Sequence, residues 1–571
     1  MEFRLGSAAF IIVFATYLFL GGMGLTDRGN PDPKDAPYNL LARGLASGHL
    51  YIAKDAPEFL RKLPNPYDPA ANAPARDSFG YGLSDLSYYH GRMYMYFGAA
   101  PAVLVFIPWH ILTGHWLPQW MAVVFLCAGG LLVNLSTIGA IRTRVFPGSA
   151  PWMAAVIALI LGIGSYAPLL LSSADMWEVP VALGYLSVAI ALRCLWQAYE
   201  HPEAPAIGLG LASAAFGVAF ASRPNELPSA LILLFPFAIR EIRVNARAWC
   251  AALIPVSMCG AGVALYNSLR FGSALEFGTS YMLIGAPYIK PHPFSPRYIW
   301  MNLRMYLVQP VDWSSVFPFA HESAVGPMPL GYIGTEHVSG VLVDDPILWL
   351  ALTLPFFFAL RSPGRNFAFI CLSAAWVALS TVGLLVFLVG ANARYEFEFV
   401  PELAFLAALG ILALERLCAS RYRGAARWVW MMALGYSCAF SVLYGIERCV
   451  SGHNTYGIAC IAHGDLAGAG REFETAKALS PRNPISRAGI GVLLIGNGRA
   501  AEARPIFEAL VREYPDDPTG YLNLANVLAG QGRLVEAIDR YRAALRLDPG
   551  NAVIKANLET ALAALARRQS R

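Results

Sequence analysis

Five charged residues in this chain stand in loops or at the ends of apolar runs, each among neighbours suited to chemistry. Asp35 opens Asp35-Ala-Pro-Tyr38-Asn-Leu-Leu41-Ala42, and Asp85 opens Asp85-Leu-Ser-Tyr88-Tyr-His-Gly-Arg92, which runs on to Tyr94-Met-Tyr96. Glu178 follows Trp177 at the start of an apolar run, Arg223 lies in Ser222-Arg-Pro-Asn225-Glu226, and Arg394 lies in Asn392-Ala-Arg-Tyr395-Glu396. A carboxylate so placed can take the proton of an attacking hydroxyl. A guanidinium can hold a departing phosphate through forked hydrogen bonds. Asp35, Asp85 and Glu178 are therefore the candidate catalytic residues, and Tyr38, Tyr88, Tyr96, Arg223, Arg394 and Tyr395 the candidate substrate-binding ones. The same residues also have local uses. Asp35 and Asp85 fit a helix cap or a turn, as Asp68 does in Pro-Tyr-Asp-Pro. Arg223 can pair with Glu226, and Arg394 with Glu396 or Glu398. Glu178 is costly at membrane depth unless used or paired.

The elements that must position these residues are transmembrane helices. Of the 571 residues 56% are hydrophobic and only 14% charged, with mean hydropathy +0.47, against about 25% charged in a soluble chain. The net charge is +5 and no Lys/Arg block occurs, so no nucleic-acid partner is expected. The nine cysteines are scattered singly with no metal-ligand spacing. Cys449 and Cys460, if helical between, stand roughly 16 Å apart and cannot bridge. Arg4 precedes an apolar run that reaches Gly24 without an A-x-A cleavage site, which predicts an uncleaved first span.

Eleven stretches are long enough to cross a bilayer, near residues 6–24, 117–141, 150–171, 178–196, 204–222, 226–240, 249–269, 345–361, 366–390, 397–416 and 426–446. The piece 99–113 carries Pro101 and Pro108 and reads as a juxtamembrane helix on the outer face. With the N-terminus cytoplasmic, the loops holding Arg142 and Arg144, then Arg193, then Arg240, Arg243 and Arg247, then Arg361 and Arg365, then Arg416, Arg421, Arg423 and Arg427 all fall inside, as the positive-inside rule requires. Two long loops then lie outside, at 24–98 and 270–345. The second is rich in aromatic residues, among them Tyr281, Tyr288, His292, Phe294, Tyr298, Tyr306 and Trp313, and fits a segment along the interface. His321, Glu322, Glu336 and His337 match no metal-ligand spacing and read as solvated polar residues.

From about residue 450 the chain repeats with a step of 34: Gly464, Gly498 and Gly532; Ala469, Ala503 and Ala537; Phe473, Phe507 and Tyr541; Pro481, Pro515 and Pro549. This is the tetratricopeptide pattern, over 450–483, 484–517 and 518–551, with a capping helix after it. The concave face of such an array suits an extended peptide or another protein; the plainer use is to prop up the membrane domain or to join two copies.

The order of Asp35, Tyr38, Leu41, Ala42 and Gly48, the block from Asp85 to Tyr96, Glu178, and the run Arg394-Tyr-Glu-Phe-Glu-Phe-Val-Pro401 together resemble the GT-C superfamily of polyprenyl-phosphate-sugar-dependent glycosyltransferases. Protein O-mannosyltransferases and the aminoarabinose transferase of lipid A are members of it. The resemblance covers residues 1–446. It implies an all-α fold, in which a polytopic helical domain of GT-C type precedes the tetratricopeptide α-solenoid at 450–571. It makes Asp35 the first choice for the base and Asp85 its rival. The lysine and paired prolines usual after the second block become Tyr96-Phe-Gly-Ala-Ala-Pro101 here, so an arginine must meet the phosphate.

The resemblance further implies an inner-membrane enzyme that moves a sugar from a polyprenyl-phosphate donor to a glycan, lipid or protein acceptor outside the cytoplasm. The tetratricopeptide array, on the same side, binds acceptor or partner. The donor phosphate is already a good leaving group, so neither metal nor other cofactor is expected. Two alternatives stand beside this one. An O-antigen ligase or oligosaccharyltransferase-type enzyme using a diphosphate-linked glycan would depend on an outer-loop histidine such as His321 or His337. A non-enzymatic scaffold would use the membrane part only to anchor the array.

Overall fold

A computed structural model describes residues 2–24, 32–78, 85–283 and 294–569. The aromatic residues Tyr288 and His292 of the second long loop lie outside the described residues. Two compact units emerge, one formed by Met1–Trp313 with Ala320–Arg448, the other by Ser314–Phe319 with Cys449–Arg571.

Six helices of the described chain are long and apolar enough to cross a membrane: Leu5–Met23, Gln119–Val145, Glu178–Glu200, Ala246–Phe271, Arg365–Leu385 and Ser420–Ala462. Helix Gln119–Val145 packs on Glu178–Glu200, which packs on Ala206–Ser222, which packs in turn on Ala246–Phe271. The middle of this row is buried, whereas Ala246–Phe271 turns Met258, Leu265 and Leu269 outward, 60–69% exposed, as a lipid-facing helix must. Local sequence sets its ends. The Asn245 side chain accepts from Ala248 N at 3.3 Å, and Gly272, with φ +75°, closes the last turn in the left-handed region that glycine enters without penalty.

Several apolar runs do not become single α-helices. The run 150–171 breaks into Met153–Gly162 and Ala167–Leu171, with Tyr166 between them at φ +62°. Gly162, Gly164 and Pro168 cluster at that break. Residues Pro224–Ala238 wind as a 3-10 helix, because Pro228 and Pro236 remove the donors a regular α ladder needs. Pro346–Leu352 does likewise before the helix Thr353–Arg361. The piece after Ala99 is a short π-helical turn, Ala102–Phe106, leading into the helix Ile107–Thr113.

The sheet content of the described residues is small but occupies telling places. A hairpin pairs β1 (Leu86–Tyr89) with β2 (Arg92–Met95) antiparallel, Leu86 facing Met95 and Tyr89 facing Arg92. A short parallel pair joins Gly334–Glu336 to Gly390–Asn392.

The second unit is a stack of helix pairs. Leu466–Leu479, Pro484–Gly496, Ala500–Glu513, Pro518–Gly530, Leu534–Leu547 and Ala552–Gln569 follow one another. Ala469, Ala503 and Ala537 are wholly buried where helices cross, and Phe473, Phe507 and Tyr541 fill the grooves between them. Gly464, Gly498 and Gly532 all stand near φ +77°, in turns that favour glycine. Asp465, Asn483 and Asp517 cap the helices that follow them.

Candidate active site

Asp85 stands one residue before β1 with φ +71°, a conformation that Asp tolerates better than most residues. Its backbone N donates to the Leu283 carbonyl at 3.2 Å, and Leu283 N donates to the Leu86 carbonyl at 2.9 Å. A strand-like contact from the second long loop therefore holds the base of the first. The side chain is fixed as well, because Trp177 Nε1 donates to Asp85 Oδ2 at 3.0 Å.

Two arginines share this neighbourhood. Arg394 lies 5.5 Å over the Trp177 ring and 5.5 Å from the Tyr395 ring, and Arg223 lies 5.3 Å from the Tyr395 ring. Tyr96, at the end of the hairpin, is held beside them. Burial pushes its phenol well above the ordinary range, Asp85 and Tyr395 push the same way, and Arg394 and Arg223 oppose them. Its position follows from Gly98, where a Cβ would overlap the Ala221 carbonyl at the end of helix Ala206–Ser222. Only glycine lets the hairpin strand run so close to the helix end that leads into Arg223.

Arg223 Nη2 contacts Glu398 Oε1 at 2.7 Å and its Nε donates to Asn225 at 3.4 Å, while Asn225 itself donates to Glu398. Nη1 of Arg223 is buried without a hydrogen-bond partner. An unsatisfied buried guanidinium N–H is expensive, and an anion is the group best able to satisfy it. Arg394 acts among Tyr395, Glu336, Glu178 and Tyr96.

Glu178 lies in a buried layer adjoining this group. Asp175 N donates to its Oε2 at 3.2 Å, and Arg448 Nη2 stands 3.5 Å from its Oε1, the two side chains only 1–2% exposed. Arg448 is further tied to the Leu169 carbonyl at 2.8 Å. Nearby, Ser339 N donates to Glu396 at 3.0 Å, and Asn392 donates to Glu336. The histidines of the long loop are paired, His321 with Glu447 at 3.0 Å and His337 with Glu322 at 3.3 Å. Burial lowers the His337 pKa, with Glu322 opposing. Among the described residues, no three His, Cys, Asp or Glu side chains converge as a metal site would require.

The structure thus brings together Asp85, Tyr96, Arg223, Arg394 and Tyr395, with Glu178 adjoining. Asp35 ends a short 3-10 turn, Pro33–Asp35, with its side chain 49% exposed and Arg43 3.5 Å away. Tyr38 is buried and stacks on Phe106 at 5.4 Å, its hydroxyl without a partner; burial pushes its phenol well above the ordinary range and Arg223 opposes. Tyr88 is buried in β1 and accepts the Tyr67 hydroxyl on its carbonyl at 2.9 Å. The sequence reading missed Trp177 as a partner of the base and Arg448 as the partner of Glu178. A signal for the second existed, since a carboxylate at membrane depth demands a cation and Arg448 closes the last apolar run.

The sequence of residues 489–552 matches the tetratricopeptide repeat family. Among curated proteins, none matches the sequence. Among solved structures, the chain is similar to ArnT from Cupriavidus metallidurans in the apo state, at 13% identity over 83% of this chain and 79% of that one, with a TM-score of 0.41. The same protein bound to undecaprenyl phosphate is matched at 12% identity over 82% and 79%, with a TM-score of 0.38. YrrB, a tetratricopeptide protein with an unusual peptide-binding site, is matched at 21% identity over 27% of this chain and 83% of that one, with a TM-score of 0.19.

Proposed function

We propose that the protein is a membrane glycosyltransferase that moves a sugar from a polyprenyl-phosphate donor to an acceptor hydroxyl. One observation carries this reading: the Trp177 indole that donates to Asp85 also lies under Arg394, Asp85 and both arginines act on the buried Tyr96, and Arg223 keeps a buried N–H unpartnered. General base and anion holder are the two functions that such a transfer needs, and Tyr96, Trp177 and Tyr395 stand beside them.

In this mechanism Asp85 takes the proton of the acceptor hydroxyl as its oxygen attacks the anomeric carbon. The bond from that carbon to the phosphate oxygen breaks, and polyprenyl phosphate leaves with both electrons of that bond. Arg223 Nη1 and the Arg394 guanidinium receive its negative charge. Trp177 holds the base in line, and Glu178 with Arg448 supports the Trp177 turn. Asp35, half exposed beside Arg43, is the rival for this role. The site faces the outside of an inner membrane, the N-terminus is cytoplasmic, and the array at 450–571 takes up a protein partner or a protein acceptor on the outer side.

The test is transfer of radiolabelled sugar from short-chain polyprenyl phosphates to acceptors in membranes, with wild type, Asp85→Asn and Asp35→Asn at matched protein levels. Asp85→Asn is expected to lower transfer by about 10²–10⁴-fold, the usual worth of a general base, with Asp35→Asn retaining most activity. Full activity in Asp85→Asn sinks the reading.

A further inference from the structure

The outer end of the hairpin carries a cluster of rings that the proposed transfer step does not use. The Tyr89 ring, at the end of β1, lies 4.4 Å from that of Tyr281 and 5.6 Å from that of Phe271. Tyr67 adds a third tyrosine, 6.1 Å from Tyr281, and His90 stacks on Tyr89 at 4.0 Å. Phe271 is buried and forms the floor, whereas Tyr67, Tyr89 and Tyr281 are partly exposed. These rings come from the first loop, the end of helix Ala246–Phe271 and the start of the second long loop. The fold, not a local run, assembles them.

The hairpin also fixes their distance from the base. Asp85 and Tyr89 are separated by four residues of extended chain, about 13 Å at ~3.3 Å per residue. A group bound on the rings can therefore belong to the same extended molecule whose hydroxyl reaches Asp85.

We infer that Tyr67, Tyr89 and Tyr281 form a saccharide subsite, stacking a pyranose ring of the acceptor at a fixed reach from the reacting hydroxyl. The inference rests on the proposed glycosyl transfer for what that sugar is part of. A pyranose offers a face of C–H groups and a rim of hydroxyls, and tyrosine offers the matching pair, a ring face and a phenol. Rings already braced against one another lose little freedom on binding. A membrane-interface belt uses the same residue types, but here the surround is charged. Arg92 pairs with Asp55, whose side chain is 90% exposed, and Arg61 donates to Gly91 at the hairpin turn at 3.4 Å. Arg61 belongs to the short helix Glu58–Lys62, whose two end residues are also exposed. Charges in that density oppose insertion among lipid chains.

The experiment is saturation-transfer NMR on the full-length protein in lipid nanodiscs, with α-1,6-mannotriose, maltotriose and triacetylchitotriose as probes. At least one should bind wild type, with the strongest transfer to ring C–H protons. Tyr281→Ala should weaken that binding by about tenfold, and Tyr281→Phe should retain it, because the stacking face survives. Tyr281 is partly exposed and the Phe271 floor is left in place, so the alanine variant tests binding in a folded protein, checked by its Tm. No binding to wild type, or equal binding to Tyr281→Ala, overturns the inference. So does a spin label at Tyr281→Cys that is relaxed by oxygen rather than by a water-soluble nickel chelate, which would assign the rings to the lipid interface. Binding here needs no turnover. A wild type that binds a trisaccharide but never consumes a polyprenyl-phosphate sugar sinks the transfer reading alone, and the converse sinks the subsite alone.

Discussion

The indole Nε1 of Trp177 donates to Oδ2 of Asp85 at 3.0 Å, joining the first long loop to the start of helix Glu178–Glu200 across 92 positions of sequence. The same indole lies under the Arg394 guanidinium. One side chain thus sets both the direction of the carboxylate and the place of the cation. Trp177→Phe keeps a ring under Arg394 and removes the N–H. A hydrogen bond to a charged group contributes about 1.5–3 kcal/mol, so kcat should fall roughly tenfold or more. Donor KM should hold, and a rise in KM with kcat intact would show that Trp177 serves the donor rather than the base.

Arg223→Lys tests the anion site. Lysine keeps the charge but loses the fork that satisfies Glu398 and an incoming phosphate together. Donor KM should rise by roughly tenfold, the worth of one charge-assisted hydrogen bond, with acceptor KM unchanged. Steady-state kinetics in both substrates decide it, and an unchanged donor KM removes Arg223 from the phosphate.

The Glu178–Arg448 pair predicts a compensation. Removing one partner of a buried ion pair leaves an unpaired charge at a cost of about 3–5 kcal/mol, whereas removing both is often close to neutral. Glu178→Gln and Arg448→Met should each lower the Tm in detergent, and the double variant should recover much of the loss. Additive losses would mean that the two side chains do not act as a pair.

Asp344 makes stability depend on pH. Burial pushes its carboxyl up to about 6, with the backbone donors of Val311 and Gly340 favouring the ionised form against it. An unfolded chain releases that proton near pH 4. Between about pH 4 and 6 the folded state holds a proton that the unfolded state has lost, so stability falls as pH rises through that window. Asp344→Asn keeps an acceptor for Val311 N and removes the titration. Its Tm should exceed that of wild type at pH 8 and match it at pH 4. An unchanged difference across that range excludes Asp344 as the source.

How much of this was legible in the sequence depends on how local the cause is. The step of 34 was legible because each position answers a requirement within one helix pair: no room at Ala469, Ala503 and Ala537, a groove to fill at Phe473, Phe507 and Tyr541, a left-handed turn at Gly464, Gly498 and Gly532. The arginines Arg223 and Arg394 were also legible, since cations outside the positive-inside pattern ask for a reason. The choice between Asp35 and Asp85 was not. Both sit in plausible local motifs, and the pairing of Asp85 and Leu86 with Leu283 is a tertiary contact. No signal near Asp85 points to residue 283. Partner choice failed for the same reason: Arg223 takes Glu398, far along the chain, rather than the adjacent Glu226.

That pairing has a consequence for how the chain is made. Leu283 follows Asp85 by about two hundred residues and Arg394 by a further hundred or so, which at about 5–20 residues per second is many seconds of synthesis. Until Leu283 arrives the Asp85 backbone N–H lacks its acceptor, and until Arg394 arrives the cluster lacks its second guanidinium. A chain still being threaded into the bilayer therefore lacks this cluster, which is complete only after most of its helices are in place.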